Sequence, residues 1–590
     1  MKRCIFLYLL LLSQVIVAQN NYLLAENYYR EGEYEKATQI YKKLVDKNPY
    51  NTTYLKRLIS CYQETNQFSS AETLLTNRLR ISPHQTYLNV FLGYNFEKQE
   101  QPAKAKIYYE KALKSIEKKA NYSGIIGRLF KDYHLLDYAI QSYEKGMKKN
   151  PNANYSFQIA QIYGEKGEFE KMFQSYIDMI DKNSNYLNTV QRFASKYITD
   201  DAENSNNILF KKTLLRASIS NPKDVWNVLL SWLFTQQKDY NKALIQEKAL
   251  FQRESEDVAN ILSLGKIAFE NRYYDAATKC FSFALKNANY LEEKLEALLY
   301  QTKIAIAQEV PETEKLFQQI FSTYGKNTRT LPLQIAYADF LTFQENQPEK
   351  AKEVLENALK HTRSKFEKAQ VKLKLGDVLV FTGQYNKALI YFSQIQTQLK
   401  NHQLAQQARF KVAQTSYFKG DFTWAKAQLK ILKGSATQLI ANDAVDLFLK
   451  IVDNEPVDSI PSGLIQYAKA DLLSFQNKNK QAITVLNIII TDFKGQPVED
   501  EALFKQATLF VKQKEYENAI TNYIKIINMD AEGILVDDAH FKLAEVYNNQ
   551  LNKPEKASEY YQKIIFDFPS SIFLVDARKK FRKLRGDGVQ

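Results

Sequence analysis

The residues that could carry chemistry are few and scattered. Five histidines, His84, His134, His361, His402 and His540, stand far apart, with no His-Glu-x-x-His pair and no Cys or His spacing that would hold zinc. Gly124-Ile125-Ile126-Gly127 is no phosphate loop, because the lysine and hydroxyl that should follow are missing. No Gly-x-Ser-x-Gly elbow occurs. Carboxylates are abundant, but on helical exteriors any two come close somewhere, so pairing them as acid and base would be arbitrary. No catalytic residue, metal ligand or cofactor is therefore assigned, and the chemistry to expect is recognition. One candidate is at the C-terminus, where Arg578, Lys579, Lys580, Arg582, Lys583 and Arg585 place six cations in eight positions. They read either as the solvated outer face of a capping helix or as a docking site for an acidic protein, phospholipid head groups or an anionic polymer. Arg585-Gly586-Asp587 spells an integrin-binding tripeptide, a match too short to carry weight.

The elements that must position such residues are announced by a period. Ala37, Ala71, Ala105 and Ala139 recur at steps of 34, followed four residues later by Tyr41, Leu75, Tyr109 and Tyr143. Three before each stand Tyr34, Phe68, Pro102 and Leu136, and twelve before each stand Ala25, Ile59, Gly93 and Gly127. Pro49, Pro83 and Pro151 come twelve after three of them. Small residues are needed where two helix backbones approach closely, and the bulky residues three before and four after lie on the same helical face. Proline cannot continue a helix and so ends each unit. This pattern, carried by the run Ala25-Glu26-Asn27-Tyr28-Tyr29-Arg30-Glu31-Gly32-Glu33-Tyr34-Glu35-Lys36-Ala37 and its echoes, closely resembles the tetratricopeptide repeat. The resemblance implies an all-α, right-handed superhelical solenoid of about twelve helix-turn-helix units, in which no unit buries its apolar stripe alone.

Taken in order, residues 1–18 read as a cleaved signal peptide: Lys2 and Arg3, then the apolar Ile5 to Val17, then Ala18 before Gln19. The run is shorter than the ~20 residues needed to span a bilayer. Cys4 stands at the start of that run and does not match a lipoprotein attachment site. Export to the periplasm, free or outer-membrane associated, follows as the expected localisation. The N-terminal array covers 19–185, its fifth unit carrying Ala160, Tyr163, Phe169, Met172 and Tyr176; an irregular helical connection covers 186–222. A middle array covers 223–435, with Ala243 and Ala277 34 apart, a degenerate region at 295–330, and Ala351, Ala388 and Ala425 at steps of 37. An extra helix and linker cover 436–463, a C-terminal array with Ala482, Ala519 and Ala557 covers 464–570, and a capping helix with the basic tail covers 571–590. The acidic helix starts at Val498-Glu499-Asp500-Glu501 and Val536-Asp537-Asp538, with Tyr560-Tyr561-Gln562-Lys563-Ile564-Ile565-Phe566-Asp567-Phe568-Pro569, resemble the longer repeats of bacterial envelope proteins of the outer-membrane assembly lipoprotein and Tol-Pal coordinator type. That resemblance implies a periplasmic adaptor.

Composition agrees with a helical scaffold. With 45% hydrophobic residues and only 18 Gly and 13 Pro in 590, there is ample apolar material for a core and little for strands or disorder. The formal charge of +14, lower by two once Lys2 and Arg3 leave, favours acidic partners or a solvated Lys-rich exterior. Nucleic acid suits the charge but not the signal segment, so it is not expected. Cys61 and Cys280 fall in separate units and are expected to be buried thiols.

In the tetratricopeptide family the first helices line a concave face, and the residues three before, one after and four after the small position point into it. Carried onto this chain, the resemblance implies Tyr22, Glu26, Tyr29, Lys56, Ser60, Gln63, Val90, Tyr94, Glu97, Gly124, Arg128 and Lys131. Of these, Tyr22, Tyr29, Lys56, Tyr94, Arg128 and Lys131 are the candidate partner contacts, suited to an extended peptide with acidic side chains or a terminal carboxylate. The function expected is a non-catalytic adaptor for envelope proteins in assembly, secretion or motility machinery, with a peripheral membrane contact left open. The alternative is a binding protein for an anionic envelope glycan or lipid polysaccharide.

Overall fold

The structure is a computed structural model that describes residues 21–255, 257–434, 438–455 and 463–586. The signal segment 1–18, the linker at 456–462 and Asp587 lie outside the described residues. Among the described residues there is no strand, and no helix is long and apolar enough to cross a membrane. The chain forms two compact units, one of residues up to Thr199 with Ser205–Leu229, the other of Asp200–Asn204 with the chain from Leu230 onward.

Each unit is a succession of helix pairs, and the most regular feature is the turn inside each pair. A left-handed residue stands there at Gly32, Asn66, Glu100, His134 and Gly167 in the first unit. In the second it stands at Lys238, Arg272, Glu309, Asn346, Gly383, Gly420, Asn477, Lys514 and Asn552, which makes fourteen such turns among the described residues against the dozen units expected. The turn closes the preceding helix: Gln67 N–H donates to Tyr62 O (2.7 Å) and Leu135 N–H to Phe130 O (2.9 Å), the six-to-one bond that satisfies carbonyls left open at a helix end. His134 is thus a turn residue rather than a chemical one.

Five residues after each turn comes the small position of the second helix. Ala37, Ala71, Ala105 and Ala139 are all buried, as are Tyr41, Leu75, Tyr109 and Tyr143. The two helices trade volume. Where the first helix has glycine, at Gly93, Gly127, Gly265 and Gly376, the space is filled by the rings of Tyr109, Tyr143, Phe281 and Phe392. Where it has Ile59, the opposing side chain is only Leu75, and both are buried. Cys61 and Cys280 are buried free thiols, and burial raises both above their ordinary range, Cys280 to about 12.

Two regions depart from the pattern. At 186–222 a one-turn helix, Ser184–Tyr186, leads into Leu187–Ala194, followed by Ser205–Ser220. The buried Asn207 pins that connection, its amide donating to Thr199 O (2.8 Å) and its oxygen accepting from Thr199 N–H (3.1 Å). At 295–330 the sequence loses its register, yet the structure keeps a pair, Leu291–Ala307 and Thr313–Tyr324. The reason is Glu314, which occupies the small position and turns its carboxylate to the Tyr337 hydroxyl (3.0 Å) and Lys350 Nζ (2.5 Å). The helix Gln438–Asp453 belongs to no pair; it buries Ile440, Ala444, Leu447 and Ile451 in one core with Leu429, Leu432, Leu464 and Tyr467.

Candidate functional site: the first-helix face of the N-terminal unit

The helices Thr52–Glu64 and Tyr122–Asp132 belong to the second and fourth pairs. They nevertheless meet across the first-helix face, where Lys56 Nζ lies 2.6 Å from Asp132 Oδ2. Beneath that bridge is a cleft of about 350 Å³ lined by Thr52, Thr53, Lys56, Arg57, Ile125, Arg128, Leu129 and Asp132. The curl that closes it is packed with aromatic rings. Tyr94, from the intervening pair, stacks on Tyr133 with centroids 3.9 Å apart, Phe91 meets Tyr133 edge-on, and Lys56 Nζ sits 5.3 Å above the Tyr133 ring. The Tyr133 hydroxyl is buried with no hydrogen-bond partner among the described residues, and burial holds its ionisation well above the ordinary tyrosine range.

The second wall is built on Glu26, which is buried. Its carboxylate accepts from the Tyr41 hydroxyl (2.7 Å), from Arg57 Nε (3.0 Å) and from Arg57 Nη2 (2.5 Å), while the Arg57 guanidinium covers the Tyr29 ring at 4.3 Å. Glu26 is therefore a clamp that ties the first pair to the second rather than a residue offered to a ligand. Gln63 is likewise turned inward, to Asn95 (3.4 Å), Glu97 is exposed and accepts from the Tyr109 hydroxyl (2.5 Å), and Val90 is core.

Of the six candidate contacts, Lys56 and Arg128 share the cleft, Tyr94 stacks on the Tyr133 ring that lies under Lys56, and Tyr29 lies under Arg57. Tyr22 instead packs on Tyr54 (5.4 Å), and Lys131 reaches forward to Glu165 (2.9 Å) in the next pair. Arg128 is exposed at the cleft. Arg57, Asp132 and Tyr133 complete the site and were not singled out in sequence. Asp132 and Tyr133 immediately precede the left-handed turn at His134, a position that becomes functional only because the array curls. The cleft thus gathers Lys56, Arg57 and Arg128 around Asp132, a set of donors suited to a carboxylate or other anionic group. Among the described residues no three His, Cys, Asp or Glu side chains are grouped to hold a metal.

The second unit carries a different pattern on its first helices. A carboxylate one residue after the small position is paired with a lysine two before the next: Asp339 with Lys374 (2.7 Å), Asp377 with Lys411 (3.0 Å) and Asp471 with Lys505 (2.9 Å). A cleft of about 440 Å³ opens at the last of these, lined among others by Tyr417, Asp443, Asp446, Lys450, Asp471 and Lys505. In the basic tail, Lys579 pairs with Asp200 and Lys580 Nζ lies 2.5 Å from Glu545, while Arg578, Arg582, Lys583 and Arg585 are exposed.

Comparison with known proteins bears on what such a scaffold is. Tetratricopeptide repeat profiles match residues 28–89, 87–119, 501–530 and 538–571. This chain carries tetratricopeptide repeats. A TPR repeat-containing protein of Methanocaldococcus jannaschii is 25% identical over 180 residues, covering 30% of this chain and 31% of that protein, so the match spans about a third of the relative's length. Among solved structures, yeast Tom70 is 13% identical with a TM-score of 0.32, covering 74% of this chain and 95% of Tom70. PilW, a type IV pilus biogenesis factor, is 15% identical with a TM-score of 0.27, covering 43% of this chain and 98% of PilW. The whole chains do not superpose, so these likenesses say nothing about partners. The repeats support the reading of this chain as a scaffold for protein–protein interaction.

Proposed function

We propose that the protein is an exported, non-catalytic adaptor of the bacterial cell envelope that holds an acidic segment of a partner protein in the Lys56–Arg57–Arg128 cleft. The observation that carries the reading is the cleft itself: three cations from two non-adjacent pairs, Lys56, Arg57 and Arg128, line it together, with Arg128 held out to solvent. An incoming carboxylate would take Arg128 and compete with Asp132 for Lys56, replacing an exposed ion pair that contributes only about 0–1 kcal/mol. The envelope setting rests on the signal-like segment at 1–18 and the character of the C-terminal repeats.

The test is affinity capture and crosslinking from the cell envelope with the parent chain beside Arg128→Glu and Lys56→Gln/Arg128→Glu. A small set of envelope proteins should be captured by the parent, weakened by the single variant and lost with the double. Retention of the same proteins by the double variant would move the contact elsewhere, and enrichment of glycan or lipid polysaccharide without protein would replace the adaptor by a ligand-binding protein.

A further inference from the structure

We infer that the C-terminal edge of the second unit is a docking face for an anionic lipid surface. Four large apolar side chains stand nearly bare there: Ile534 at 83% exposure, Phe566 at 69%, Ile572 at 85% and Val575 at 74%. Ile534 and Ile572 hold equivalent places, each five residues before the buried small residue of its helix, Ala539 and Ala577. They therefore fall on the same edge of successive pairs. Phe566 ends the helix Pro554–Asp567 on that turn edge, and Val575 opens the helix Leu574–Arg585 beside Ile572. Single exposed apolar residues are ordinary on a protein surface; a group at equivalent edge positions of two successive repeats is not.

The terminal helix joins cations to this edge. Val575, Arg578, Lys579 and Arg582 stand at i, i+3, i+4 and i+7, one helical face, while Ala577, Phe581 and Leu584 turn to the core. Lys579 is held by Asp200 and Lys580 by Glu545, which leaves Arg578, Arg582 and Lys583 as exposed cations on and beside the Val575 face, with Arg585 lying 5.6 Å from the Phe581 ring. The carboxylates on this edge are Asp530 and Glu532, exposed beside Ile534, Asp537 and Asp538 in the first turn that follows, Asp576 in the first turn of the terminal helix, and Asp567, which lies 3.6 Å from Lys563; the cations outweigh them only at the terminal helix. A second copy of the chain would bring these cations against themselves. An acidic protein would use the cations but leave Ile534, Phe566, Ile572 and Val575 without a role. Apolar side chains entering the head-group region while arginines and a lysine meet anionic head groups account for both. This goes beyond the adaptor reading and does not depend on it, because the cleft at Arg128 lies in the other unit.

Flotation of the purified full chain with phosphatidylcholine vesicles containing about a third phosphatidylglycerol tests it, against vesicles of phosphatidylcholine alone. The parent should float with the anionic vesicles and not with the neutral ones. Arg578→Glu/Arg582→Glu/Lys583→Glu should abolish flotation, since each cation at a charged surface is worth about fivefold in partition. Phe566→Ser/Ile572→Ser should lower partition by tenfold or more, whereas Arg128→Glu should float like the parent. All altered side chains are exposed, so unchanged circular dichroism melting is expected of each variant. No flotation of the parent overturns the proposal. Undiminished flotation of Phe566→Ser/Ile572→Ser also overturns it, leaving a polyanion site with no lipid character.

Discussion

At the scale of single residues, the turn positions separate backbone strain from packing. Gly383 has φ +75° and nothing within 4 Å of where a Cβ would stand, so Gly383→Ala tests the left-handed conformation alone and should lower stability by about 1 kcal/mol. Glu100 occupies the equivalent place at φ 60°, and Glu100→Gly should raise stability by a few tenths of a kcal/mol, the relief of strain being partly offset by the greater freedom of glycine in the unfolded chain. Urea midpoints of the two variants should move in opposite directions; movement in the same direction would refute the account. A second residue-scale prediction concerns Asp538. Burial, and then the adjacent Asp537, raise its carboxyl from near 3.8 to about 6. A folded-state value above the unfolded one means that the folded form holds its proton more tightly. This group's contribution is therefore favourable below about pH 4 and is lost as pH rises through 6. Asp538→Asn should then melt higher than the parent at pH 7.5 and no higher at pH 3.5, measured by calorimetry at both.

At the scale of elements, the unpaired helix Gln438–Asp453 shows what sequence periodicity reveals and what it hides. The interval from Ala425 to Ala482 exceeds the local repeat by one helix, so the presence of that helix was legible. Its role was not, because a lone amphipathic helix can lie on a surface or complete a core. The structure puts Ile451 at 0% exposure in the core that joins Leu429 to Leu464. Ile451→Ala should therefore cost about 2 to 4 kcal/mol and reduce hydrogen-exchange protection in Leu464–Phe475, whereas the exposed Val452→Ala should do neither. The same limit governs the candidate site. Small residues at a fixed step are legible because each helix crossing demands one. The Lys56–Asp132 bridge was not, because it joins residues 76 apart whose meeting depends on how tightly three pairs curl. Lys131, expected on the same face, pairs there with Glu165, the residue 34 positions on at the equivalent place of the next pair. The lysine–carboxylate ladder at Asp339, Asp377 and Asp471 has a regular signature relative to the small positions, yet charge at helical spacing is too common on solvated faces to be singled out without the structure.

At the scale of the whole molecule, stability in a repeat array is close to a sum of local terms and neighbour interfaces, so damage should stay near where it is made. Gly127→Ala is a suitable probe. A Cβ there would stand 2.6 Å from Tyr143 Cε1, and Tyr143 is buried and packed on Tyr155 at 5.0 Å, so the ring has nowhere to swing. Overpacking of this kind costs about 1 to 3 kcal/mol, against a gain of at most about 1 kcal/mol from replacing a mid-helix glycine. The steric cost wins by about 1 kcal/mol at the middle of its range. Hydrogen exchange should show protection falling in Tyr122–Asp132 and in the flanking helices Pro102–Lys118 and Leu136–Lys149, while Val498–Lys512 and Tyr516–Met529 in the second unit keep theirs. If the chain instead unfolded as one cooperative block, protection would fall by the same free energy everywhere the slowest amides report, and the additive description would fail. The distinction matters for function. In an additive array a partner seated in the Lys56–Arg57–Arg128 cleft stabilises the pairs it bridges and leaves the lipid-facing edge of the second unit unchanged. The two surfaces can then be altered separately, and binding at one should not shift the affinity of the other.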